Sequence, residues 1–209
     1  MRIYLYTNIL MRYLCEGAPG HVVISDAVNM SKKLGIKIFV SSKTPQESQH
    51  FVNLANEFYA RLENSQIGTA LLSSSVEVNN PIIDAFVAKG KNNAELKWSG
   101  NISRFKDLEV LLLTEDIEVS DDGLEDITKD ELYPRVRQAV IDAKEEHASP
   151  EVIEHDSYNL VLVQKLRNKY PTSMIGSSVW LLTIDNKLPR VDRIPRSTYP
   201  EPHCRTVGE

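Results

Sequence analysis

Cysteine is almost missing from this chain: only Cys15 and Cys204 occur. They lie far apart, and neither sits in a C-x-x-C pair or beside histidines at zinc-ligand spacing, which argues against a disulfide framework and a structural zinc. Long apolar runs are missing too, with no stretch of about 18 apolar residues. The opening MRIYLYTNILMRYLCEG lacks the basic head, apolar run and small-residue cleavage site of a signal peptide. A soluble, cytoplasmic protein without membrane contact is the expectation. Excess positive charge is also lacking. The formal net charge of −5 argues against a protein that coats nucleic acid, which presents at least one basic face. It does not exclude a nuclease that holds a cation through clustered carboxylates, because the cation supplies the positive field that phosphate meets. No G-x-x-x-x-G-K-[ST] or G-x-G-x-x-G loop follows a strand, and no G-x-S-x-G elbow occurs.

What is present is an ordinary globular composition, 42% hydrophobic and 25% charged over 209 residues, enough for one large domain or a domain with an insertion. Residues 2–5 alternate as a strand, Thr7 and Asn8 punctuate, and residues 9–14 resume a helical pattern. Val22, Ala27, Val28 and Leu34 recur at helical intervals, Gly35 stops that helix, and residues 36–40 form a β-branched run. In SSKTPQES, Thr44 suits an N-cap, Pro45 the first helical position and Glu47 the reciprocal place of a capping box. The helix continues through Phe51, Leu54, Ala55, Phe58 and Leu62. Residues 64–149 read as a mostly helical insertion. A further helix is expected to begin near Asp156, and SSVWLLTIDNK reads as a buried strand with an Asp-Asn turn. Residues 191–209, rich in proline and arginine, read as an extended or disordered tail after a single domain spanning 1–190.

Strands separated by helices imply an α/β fold with a mostly parallel sheet between two helical layers. Ligands of such sheets bind beyond the carboxyl ends of the strands. Three acidic residues fall near that rim: Glu47, Asp156 and Asp185. Each has a bland explanation, as capping-box partner, N-cap and turn opener. Carboxylates brought together repel one another unless a cation neutralises them, so their convergence points to Mg2+ or Mn2+, hard ions that take oxygen ligands. Such an ion activates water and polarises a phosphoryl oxygen.

On these residues the chain resembles the PIN-domain nucleases. IYLYTNIL is similar to their opening strand, which ends in Asp followed by Thr-Asn. VIEHDSYNLVLVQKL is similar to their helix with a central acidic residue, and VWLLTIDNKL to their closing strand with Thr-x-Asp. The resemblance covers residues 1–62 and 150–190. It implies a three-layer sheet of four or five strands and metal-dependent endoribonuclease cleavage of RNA. Glu47, Asp156 and Asp185 would be direct or water-mediated ligands of Mg2+ or Mn2+. Thr183 would be the hydroxyl residue beside the last Asp, and Asn8 the asparagine that holds the strand-to-helix turn. RNA is the implied partner, with a homo-oligomer or a protein inhibitor as further ones. Tyr6 departs from the pattern: it stands where the family has its first Asp, and a phenol with a reference pKa of about 10 is neutral at physiological pH. An inactive relative that binds RNA or protein through the same crevice is the alternative.

Other signals carry less. The five histidines are scattered. Arg190, Arg193, Arg196 and Arg205 are spread along an extended segment and read as a solvated tail rather than a phosphate-binding patch. Trp98 and Trp180 read as core or interface residues.

Overall fold

A computed structural model describes residues 1–66, 68, 70, 77–91, 95–144, 148–170 and 177–192, and the backbone of 204–206. Its strands are β1 (Arg2–Leu5), β2 (Lys37–Val40), β3 (Glu118–Val119), β4 (Val179–Thr183) and β5 (Cys204–Thr206). They form one sheet in the order β3-β2-β1-β4-β5, and every pairing is parallel. The protein is a three-layer α/β/α fold, as parallel pairing with helical crossovers requires. The helices are α1 (Thr7–Leu14), α2 (His21–Lys33), α3 (Thr44–Glu63), α4 (Pro81–Gly90), α5 (Trp98–Ser103), α6 (Leu108–Thr114), α7 (Tyr133–Lys144), α8 (Pro150–Lys169) and α9 (Leu188–Asp192), with a 3-10 turn at Ile127–Lys129. None among the described residues is long and apolar enough to cross a membrane.

The chain divides into two compact units, one of residues 1–6, 31–44 and 117–209, the other of residues 7–30 and 45–116. These bounds do not follow the 64–149 insertion expected from sequence, because residues 117–149 group with the sheet. The sheet unit has a core in which Tyr4, Phe39, Val179 and Leu181 pack with Val136 and Val140 of α7 and with Leu160 to Val163 and Leu166 of α8. Tyr4 and Leu181 are register partners across β1 and β4, so their side chains leave the same face of the pleat. A buried ion pair ties this unit together: Arg167 Nη1 donates to both carboxylate oxygens of Asp192 at 3.0 Å, and its Nε donates to the Val179 carbonyl at 3.1 Å.

In the helical unit, Ile9, Leu10, Met11 and Leu14 of α1 are fully buried, as are Ile82 and Ile83 of α4. The start of α4 is held by Asn80, whose side chain accepts from the amides of Ile82 and Ile83 ahead of Pro81 in the first turn. Trp98 stacks on Tyr59 with ring centroids 4.1 Å apart and meets Phe86 edge-on. Trp98 itself is half-buried, and its indole N–H donates to Asn56 Oδ1 at 2.7 Å, so it is not an enclosed core residue.

Several local expectations need correction. In α2, Val22 and Ala27 are exposed, as is Leu34 just beyond its end, and the buried positions are Ile24 and Val28. In α3 the enclosed stripe is Ser48, Val52, Ala55, Tyr59 and Leu62, while Leu54 and Phe58 face solvent; a polar residue and a tyrosine inside the stripe rotated it from the purely apolar pattern. The first turn of α3 already includes Thr44, whose hydroxyl meets that of Ser41 at 3.0 Å. Helix α8 begins at Pro150, with Ser149 as N-cap accepting from the Val152 amide, so Asp156 is not a capping residue. Ser followed by Pro is itself a helix-start signal. Within residues 191–209, backbone 204–206 is strand, paired with β4. Residues 193–203, with Arg193 and Arg196, lie outside the described residues.

Candidate functional site

The order of the sheet places its reversal between β1 and β4: the chain moves from β1 to β2 and β3 on one side, then to β4 and β5 on the other. A crevice at the carboxyl ends of the strands opens at such a switch point. Tyr6 follows β1 there, its amide donating to the Leu182 carbonyl at 3.0 Å, and Thr183, Ile184 and Asp185 close β4.

Local turn chemistry fixes Asp185. The Thr183 hydroxyl, fully buried, accepts from the Asp185 amide at 3.0 Å, and Asp185 Oδ1 accepts from the Lys187 amide at 2.8 Å. Short polar side chains bonding to backbone two residues away make this kind of turn. One carboxylate oxygen is thereby aimed by the backbone, and Oδ2 accepts a hydrogen bond from Lys144 Nζ at 2.8 Å.

Asp156 reaches the same ammonium from α8. This helix buries residues 155 through 164 without a break, as a helix enclosed on all sides does. Its polar residues are therefore enclosed with the apolar ones. Asp156 is 0% exposed, and Lys144 Nζ stands in ion-pair contact with its Oδ2. The contact lacks hydrogen-bond geometry: neither oxygen of Asp156 accepts a hydrogen bond. Burial, and after it the negative charge of Asp185, pushes the Asp156 carboxyl well above the usual carboxylate range. Asp185 is held below that range. Burial pushes it up too, but the Lys144 hydrogen bond and the Lys187 amide outweigh it.

The Tyr6 hydroxyl meets His155 Nδ1 at 3.1 Å, and the two rings pack edge to face, 5.0 Å between centroids. Asn159, one turn along α8, donates to the His155 carbonyl at 2.9 Å. Glu154 takes hydrogen bonds from Tyr133 and, at 2.6 Å, from Arg137. A second polar group stands beyond β2 and β3, where Asp121 accepts from the Ser42 amide at 2.9 Å and from the Tyr158 hydroxyl at 2.8 Å.

Of the residues singled out from sequence, then, Asp156, Asp185 and Thr183 meet in the sheet unit. Glu47 and Asn8 belong to the helical unit. There, Glu47 accepts a hydrogen bond from the Thr7 hydroxyl, and Asn8 lies half-buried in the first turn of α1. Among the described residues, no group of three or more His, Cys, Asp and Glu stands ready to hold a metal ion. The donors that do converge are all carboxylate oxygens, and one of the two residues is wholly buried with no hydrogen-bond donor. This chemistry fits a single Mg2+ or Mn2+, which commonly takes one or two carboxylates and completes its shell with water and phosphate. Sequence reading missed Lys144, the Tyr6–His155 contact and Asp121. None has a local signal, since each is defined by a partner distant in the chain.

Fold and site together define a parallel α/β protein with an acidic pair bridged by a lysine at the carboxyl edge of its sheet. Neither the family models nor the curated proteins nor the solved structures contain a match to this chain.

Proposed function

We propose that this chain is a PIN-like, cytoplasmic ribonuclease that hydrolyses RNA phosphodiester bonds with a divalent cation held by Asp156 and Asp185. Its activity is reduced because Tyr6 stands where the resemblance calls for an acidic ligand. The observation that supports this reading is the meeting of two carboxylates from separate elements at the switch point of the sheet, one of them enclosed without a hydrogen bond. Repulsion between such groups makes their approach unfavourable unless it serves a cation. A bound Mg2+ or Mn2+ would polarise the phosphoryl oxygen and acidify a water. The chain's own contribution is placement: Thr183 and Lys187 fix the Asp185 carboxylate, and the burial of Asp156 keeps water from screening its charge.

The second reading is an inactive relative that binds RNA or a protein partner. The Tyr6–His155 contact favours it, because the position after β1 is filled by a bulky neutral phenol already engaged with a neighbour.

One experiment separates the two. Labelled RNA is incubated with the wild type, Asp185→Asn and Tyr6→Asp in Mn2+ or Mg2+. Slow cleavage by the wild type, lost in Asp185→Asn and faster in Tyr6→Asp, is expected; single ligand or donor losses of this kind reduce rates by about 10²–10³. No cleavage by the wild type or by Tyr6→Asp removes the nuclease reading. Cleavage by Tyr6→Asp alone supports the inactive relative.

A further inference from the structure

The acidic pair already holds a cation, and that cation is part of the chain. We propose that Lys144 is a resident competitor for the metal position: its ammonium occupies the Asp156–Asp185 pair until a divalent ion displaces it. This regulation rests on the metal-dependent reading above, whose ligands it shares.

Four observations carry it. Lys144 Nζ contacts both carboxylates at once, Asp185 Oδ2 at 2.8 Å with a hydrogen bond and Asp156 Oδ2 in ion-pair contact. Its side chain is only 12% exposed, so the ammonium lies within the site rather than reaching over it. Asp156 accepts no hydrogen bond and is wholly buried, so Lys144 is the one cation paired with it among the described residues. Lastly, Lys144 is the final residue of α7. The carbonyl end of a helix favours positive charge, and from there a flexible four-carbon stem can carry the ammonium in or out without moving the helix.

Charge decides what can follow. One ammonium cannot neutralise both carboxylates when both are ionised, and in a place of low dielectric an uncompensated charge is costly. A monovalent group therefore holds the pair together without satisfying it. A divalent ion neutralises both carboxylates fully, and the ammonium it displaces regains its hydration in solvent, which for a compact point charge is strong. Metal affinity in the wild type is then the intrinsic affinity of the pair less the free energy needed to expel Lys144. Removing the ammonium must tighten metal binding, provided the fold survives.

The test uses the full chain and Mn2+ alone, with free Mn2+ read by electron paramagnetic resonance. Lys144→Met is expected to bind Mn2+ about tenfold or more tightly than the wild type, the equivalent of one charge-assisted contact. Asp185→Asn should abolish that binding in either background. A second readout needs no variant: acylation of Lys144 by an amine reagent, mapped by mass spectrometry, should rise as Mn2+ saturates the wild type. Equal or weaker Mn2+ binding by Lys144→Met, with binding still lost in Asp185→Asn, overturns the competition and leaves the metal reading standing. Absence of any Asp185-dependent binding overturns both. If Lys144→Met does not fold, Lys144→Gln and the acylation experiment decide between the same outcomes.

Discussion

At the residue scale, Asp156 and Asp185 respond to pH in opposite directions. Because burial and Asp185 raise the carboxyl of Asp156, the folded chain binds a proton there more readily than the unfolded chain, whose aspartates titrate near about 3.9. Its contribution to stability is full below that value and is lost as pH rises through the raised folded value. Asp185, held low against its own burial chiefly by Lys144, contributes stability above about 3.9 that is lost as pH falls through its folded value. Asp156→Asn removes only the first effect. In chelator, the stability of Asp156→Asn relative to the wild type should increase with pH from about 4 upward, as read from urea midpoints at a series of pH values. A difference that stays flat across this range would contradict the raised carboxyl of the enclosed Asp156.

Helices and strands are held here by a few polar links as well as by packing. Arg167 of α8 and Asp192 of α9 form the most enclosed of the described ion pairs between separate elements, with side chains 7% and 1% exposed, and Arg167 also bonds the first residue of β4. Breaking such a pair from one side leaves a buried charge without compensation. Asp192→Asn or Arg167→Met is therefore expected to cost about 3–5 kcal/mol, and Arg167→Met combined with Asp192→Leu to recover much of it. Equilibrium unfolding of the three variants checks this, and single losses under about 1 kcal/mol would show that water reaches the pair.

For the whole molecule, the net charge of −5 means that RNA meets repulsion wherever no cation intervenes. Filter binding in chelator at about 150 mM salt should show weak retention that Mg2+ strengthens, since phosphate contacts lose affinity steeply with salt. Tight binding without divalent ions would favour the inactive, RNA-binding relative. Much of the sheet was legible in the sequence, because β1, β2 and β4 are apolar, β-branched and bounded by turn residues. Asp185 and Thr183 were legible for a similar reason: the turn they make is local. What could not be read were partnerships across the chain. Strand β3 is two exposed residues defined only by pairing with Phe39 and Val40. Strand β5 lies in a segment whose prolines and arginines suggest no strand, and Lys144 looks like any lysine at the end of a helix. Asp156 sits well inside its helix because the start signal in this chain is Ser149–Pro150, six residues earlier.

The order of the strands also sets when the sheet can be completed during synthesis. β1 lies between β2 and β4, and β4 ends only at Thr183. At translation rates of about 5–20 residues per second, the first strand leaves the ribosome roughly ten to forty seconds before its second neighbour exists. Through that interval an apolar segment presents an open backbone edge. An edge of that kind is open to pairing with other chains, and slowing translation should increase aggregation, read from the insoluble fraction.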